Sequence, residues 1–231
     1  MTRNALIVGA GSGISAAFAR ALAGDGYRVA LATRDADKLA ALAREVGGPA
    51  LACDASDRES VERLFAETDA ALGAPDVVLY NPSHRARGPV VELDPEDVRQ
   101  ALLVTAFGGF LVAQAAVRRM LAHGGGALFF TGASASVKGY ARSVPFAMGK
   151  FALRGLAQSL ARELQPSNIH VAHFVIDGGV ASPERGRVPP PDKPDSLLDP
   201  GAIAHTYMAV LKQPRSAWSW EVELRPWVES F

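Results

Sequence analysis

Apolar positions along the chain fall into short unbroken blocks. Between the blocks, apolar residues recur at helical spacing. The first block is Ala5, Leu6, Ile7 and Val8, and it stops at Gly9-Ala10-Gly11-Ser12-Gly13. Six more blocks follow at 29–32, 50–53, 76–80, 127–130, 169–176 and 218–224. Helical stretches separate them at 14–23, 37–45, 95–120 (in one or two pieces) and 145–164, with a further one after Ser56. Ser56 and Glu59 have capping-box spacing. Beyond them Val61, Leu64, Phe65 and Leu72 form one apolar stripe. Gly24 and Gly26 end the first helix, Gly47 and Gly48 the second, and Pro145 stands at the first turn of the last long one. Continuous apolar strands separated by helices mean parallel βαβ units whose sheet is covered on both sides. The expectation is an α/β protein, a doubly wound parallel sheet of about seven strands with helices on both faces. The last block differs, because apolar residues take every second position from Trp218 to Leu224. That reads as an edge strand with one face to solvent. Residues 189–200 hold Pro189, Pro190, Pro191, Pro194 and Pro200, an extended segment. No repeat or linker divides the chain, so 1–231 reads as a single domain.

Composition narrows this picture. The chain is 48% hydrophobic and 21% charged, which supplies a sizeable core and excludes disorder. Lys and Arg number 24, Asp and Glu 24, so bulk charge points to no nucleic-acid partner. The one cysteine, Cys53, excludes an intrachain disulfide and a cysteine zinc site, and leans toward a cytoplasmic setting. The histidines are too scattered for a metal cluster. The N-terminal apolar run is too short for a signal core, so residue 1 reads as the mature start. Residues 101–117 carry no charge, but Thr105, Gly108, Gly109 and Gln114 interrupt them; a buried helix, not a membrane span, is expected.

The chemistry begins at the glycines. Gly9, Gly11, Ser12, Gly13 and Ile14 join the first strand to the first helix, where a parallel sheet binds phosphate on backbone N–H groups. Ile14 stands where a third glycine completes the dinucleotide spacing, so the loop alone admits a methyl-donor site as well as a dinucleotide. The second strand ends in Thr33, Arg34 and Asp35. An arginine there suits a ribose 2′-phosphate, which favours NADP(H) over NAD(H).

From here the chain resembles the short-chain dehydrogenase/reductase family over nearly its whole length. The glycine loop, Asp54, Asn81, the run from Phe146 to Lys150 and the run from Asp177 to Ser182 follow the family's motif order. The resemblance implies a Rossmann-like fold. It implies that Asp54 meets adenine, that Asn81, Gly178 and Val180 line the cofactor, and that Lys150 holds the nicotinamide ribose. It implies a substrate-covering loop at 183–200 and a dimer or tetramer built on helices near 101–120 and 145–164. Three catalytic positions depart from the family. Phe146 replaces the tyrosine acid, Ala133 the serine, and Thr105 falls near the asparagine. Losing a general acid costs roughly 10²–10⁴-fold. Ser134, Ser136, Tyr140 and His84 are the candidate substitutes. The leading reading is an NADP(H)-dependent oxidoreductase acting on a small carbonyl, alcohol or enone with an atypical proton donor. A catalytically silent dinucleotide binder, and more remotely an S-adenosylmethionine-dependent methyltransferase, remain open.

Overall fold

The computed structural model describes residues 3–229. Seven parallel strands form one sheet in the order β3-β2-β1-β4-β5-β6-β7. They are β1 (Asn4–Val8), β2 (Arg28–Thr33), β3 (Ala50–Ala52), β4 (Val77–Tyr80), β5 (Gly126–Thr131), β6 (Ile169–Ile176) and β7 (Glu221–Leu224). The helices are α1 (Ile14–Gly24), α2 (Ala40–Val46), α3 (Arg58–Leu72), α4 (Pro95–Leu102), α5 (Gly108–His123), α6 (Val144–Leu164) and α7 (Pro200–Leu211).

Alternation along each strand sorts side chains onto two cores. Ala5, Ile7, Leu31, Phe129 and Phe174 face Phe18 and Leu22 of α1 and Tyr207 of α7. Leu6, Val8, Tyr80, Leu128 and Phe130 face Leu64 and Phe65 of α3, Val112 of α5 and Leu153 of α6. Burial on both faces is why these strands carry unbroken apolar runs. The apolar stretch from Pro95 to His123 is long enough to cross a membrane, yet half of its apolar window is buried against the fold.

Three local expectations need correction. The cap of α3 is Asp57, whose carboxylate accepts from the N–H groups of Glu59 at 3.3 Å and Ser60 at 3.1 Å. A cap must immediately precede the first helical residue, which is Arg58. Ser56 instead donates its N–H and hydroxyl to Asp54 at 2.9 and 2.6 Å. The stretch expected at 37–45 opens with a 3₁₀ turn, Ala36–Leu39. The last strand starts at Glu221, not Trp218. Trp218 stacks on His170 at 4.6 Å, and its indole N–H bonds the Gln213 carbonyl, so it covers the sheet edge from a loop. Of the one or two pieces expected at 95–120, the chain forms two, joined by a π turn, Leu103–Phe107.

Candidate functional site

A cleft opens at the C-terminal ends of β1, β4, β5 and β6. The strand order reverses between β1 and β4, the place where open parallel sheets bind ligands. Its wall comprises residues 9–15, Asn81, Ser83, Arg85, residues 131–133, Phe146, Lys150, Ile176, residues 178–182, Arg185 and Arg187.

The glycine loop is shaped for close approach. Gly9 has φ +78°, and a Cβ there would stand 2.7 Å from Pro82. At Gly11 and Gly13 a Cβ would meet nothing within 4 Å, so a side chain would project into the cleft. Ser15 folds the loop, its hydroxyl accepting from the Gly11 N–H at 2.9 Å and donating to the Gly11 carbonyl at 3.2 Å. Asn81 ties the loop to β4 by donating to the Gly9 carbonyl at 3.0 Å. Helix α1 begins with neither a side-chain cap nor an acidic residue in its first turn. Such an N-terminus suits an anion.

Arg34 lies in a side arm of the cleft with Thr33, Asp54 and His84. Its neighbour Asp35 is engaged by Lys38 at 3.0 Å, which leaves the Arg34 guanidinium to the arm. At the opposite end, Lys150 is 3% exposed and donates to the Thr131 carbonyl at 2.6 Å. Burial, with the nearby Arg85 charge added, lowers its ammonium to about 7. One turn earlier on α6, the Phe146 ring stands 6.0 Å from the Lys150 Nζ and carries the Arg85 guanidinium 4.2 Å from its centre. Behind this end His173 is fully buried, with its Nδ1 3.1 Å from Glu221. Burial drives that imidazole down to about 4, although Glu221 opposes the shift. Arg154 grips the same carboxylate at 2.6 and 2.7 Å.

Residues 3–189 match the model of the short chain dehydrogenase family. The chain belongs to that family. D-threitol dehydrogenase of Mycolicibacterium smegmatis is 34% identical over 69% of this chain; the match spans 63% of that protein's length. A short-chain dehydrogenase from Rhodopseudomonas palustris shares the fold with a TM-score of 0.85 and 35% identity, covering 97% of this chain and 99% of its own. An alcohol dehydrogenase from the archaeon Thermococcus sibiricus, solved with 5-hydroxy-NADP, scores 0.86 at 28% identity and covers 100% of this chain and 99% of its own. The family is one of oxidoreductases.

In this family member the cleft wall brings together Gly9, Gly11, Ser12, Gly13, Ile14, Asn81, Phe146, Lys150, Gly178 and Val180. Arg34 and Asp54 line its side arm. Ser134 and Tyr140 are not on the wall; the position facing the cleft is Ala133. Tyr140 is exposed on the loop before α6. Ser136 is fully buried, its hydroxyl engaged by the Ala133 N–H at 3.1 Å. His84 sits in the side arm, 4.0 Å from Asp97. Thr105 is buried in the π turn and accepts from the His84 N–H at 3.3 Å. The sequence reading did not single out Arg85, Arg185 or Arg187. The only local signal was the Arg85-Ala86-Arg87 run after β4.

Proposed function

We propose that this chain is an NADP(H)-dependent oxidoreductase that moves hydride to or from a small carbonyl, alcohol or enone without a tyrosine acid. The observation that carries the reading is a single cleft with an anion-ready glycine loop and Arg34 at one end and buried Lys150 at the other. The glycine cradle fits a dinucleotide, because side chains at Gly11 and Gly13 would fill the space a diphosphate needs. The loop from Gly9 to Ile14 would hold the diphosphate, Arg34 the 2′-phosphate and Asp54 the adenine. Asn81 and Lys150 would hold the nicotinamide ribose, with Gly178 and Val180 against the nicotinamide. The bound dinucleotide supplies hydride. Phe146 shapes the substrate end and has no proton to give. Lys150 lies on the wall one turn from Phe146, and burial lowers its ammonium to about 7, so that ammonium is assigned the proton at the substrate oxygen. The NADP-type ligand of the Thermococcus sibiricus relative supports the cofactor choice.

The test is a titration of the purified protein with NADPH, NADH and S-adenosylmethionine, followed by a carbonyl and enone turnover panel. NADPH should bind tightest, and Arg34→Ala should weaken NADPH about ten-fold or more while sparing NADH. Preferential binding of the methyl donor overturns the reading. NADPH binding without any turnover reduces the chain to a silent binder.

A further inference from the structure

Arg85 stands at the substrate end of the cleft, and no step above uses it. We infer that Arg85, with Arg187 beside it, is a carboxylate clamp, so the substrate is a small carboxylic acid bearing the carbonyl or double bond to be reduced. The inference rests on the dinucleotide reading above and names its substrate class.

Geometry comes first. The guanidinium carbon lies over the Phe146 ring, 4.2 Å from its centre, at the position where the family resemblance places the tyrosine. A cation over a ring face is held there by the ring quadrupole while its N–H groups can still donate elsewhere. The backbone beneath is pinned on three sides. The Asn81 N–H bonds the Val8 carbonyl at 3.0 Å, the His84 N–H bonds Thr105 at 3.3 Å, and the Gly88 N–H bonds the Arg142 carbonyl at 3.1 Å. A preset fork loses less entropy on binding than a free one.

Charge comes second. Among the described residues Arg85 has no acidic partner, and no Asp or Glu lies on the cleft wall. Partial burial disfavours its charge most, the cations Arg87 and Arg187 add to that, and Arg85 in turn disfavours the charge of Lys150. Arg187 is held at the wall by a two-way backbone bridge to Ser182, at 2.8 and 3.0 Å. A bound anion would relieve this repulsion.

Position comes third. Arg185 borders both the main cleft and the arm that holds Arg34, which places it along the phosphates. Arg85 sits over the Phe146 ring and is absent from the arm that holds Arg34, which sets it toward the substrate end rather than the 2′-phosphate. The planar fork matches a carboxylate through two parallel N–H donors. A guanidinium does not release a proton at ordinary pH, so the role of Arg85 is to bind and orient.

The experiment has two arms. In the first, NADPH is titrated into wild type and Arg85→Gln by fluorescence; affinities should agree within about three-fold, because Arg85 lies toward the substrate end. In the second, protein saturated with NADP+ is titrated calorimetrically with acetoacetate and 2-oxobutyrate and with their methyl esters. The acids should bind wild type about ten-fold or more tighter than the esters, and Arg85→Gln should abolish that preference. Arg85→Lys, which keeps the charge and loses the fork, should restore only part of it. Equal binding of acid and ester, or a preference that survives Arg85→Gln, overturns the clamp while NADPH binding stands. Failure of NADPH to bind wild type appears in the first arm and overturns the clamp together with the dinucleotide reading.

Discussion

Lys150 is a cation sealed in the protein, and its single acceptor among the described hydrogen bonds is the Thr131 carbonyl. Its pKa falls from the ordinary 10.5 to about 7, burial being the larger cause and the Arg85 charge the smaller. The unfolded chain therefore keeps this proton up to about pH 10.5, and the folded dinucleotide-free chain only to about pH 7. Between those values the unfolded state binds more protons, so stability rises with pH, by about 1.4 kcal/mol per unit at most. Urea denaturation at pH 6.5, 8 and 9.5 should show this rise in wild type and a flatter profile in Lys150→Met. Parallel profiles for the two proteins would contradict it. Lys150 was legible in the sequence because the run from Phe146 to Lys150 stands where the family resemblance places its tyrosine and lysine. Arg85 was not, because the ring that fixes it lies on α6, far along the chain.

The junction between α4 and α5 shows what periodicity leaves hidden. The π turn at Leu103–Phe107 shifts the helical stripe by part of a turn, and an apolar stretch gives no sign of such a shift. The shift presses buried Thr105 against α6, where a Cβ on Gly149 would come within 2.9 Å of it. It also leaves Phe107 and Phe110 exposed and stacked at 6.2 Å. On α6, Val144, Met148 and Phe151 are exposed as well. We propose that these two helices meet a second copy of the chain, since exposed apolar faces of this kind mark interfaces. Light scattering at micromolar concentration should give a dimer or tetramer, and Phe110→Glu with Phe151→Glu should shift it toward monomer. A monomeric wild type would rule this out. Helix and strand positions were legible because burial on both sheet faces writes unbroken apolar runs. The α3 cap was not, because Ser56 and Asp57 both suit the role and only the observed start at Arg58 selects between them.

At the scale of the whole chain, β1 is the seam of the sheet, paired with β2 on one side and β4 on the other. The glycine loop leaves from this seam, so a strand paired on both sides delivers the chain to the cleft. Among the described residues the main wall of the cleft carries Arg85, Lys150, Arg185 and Arg187 and no carboxylate, and its side arm adds Arg34 and Asp54, while the full chain has no net charge. Cations therefore gather on the main wall although the charges of the whole chain sum to zero. Composition alone could not reveal that, because a sum over the sequence discards position. The consequence is kinetic. A multiply charged anion approaching in dilute buffer is turned toward the cleft before contact, over a Debye length of about 30 Å at 0.01 M salt. At 0.15 M that reach contracts to about 8 Å. Stopped-flow association of NADPH should slow several-fold across this range while dissociation changes little, and an association rate indifferent to salt would show that the orienting field is absent.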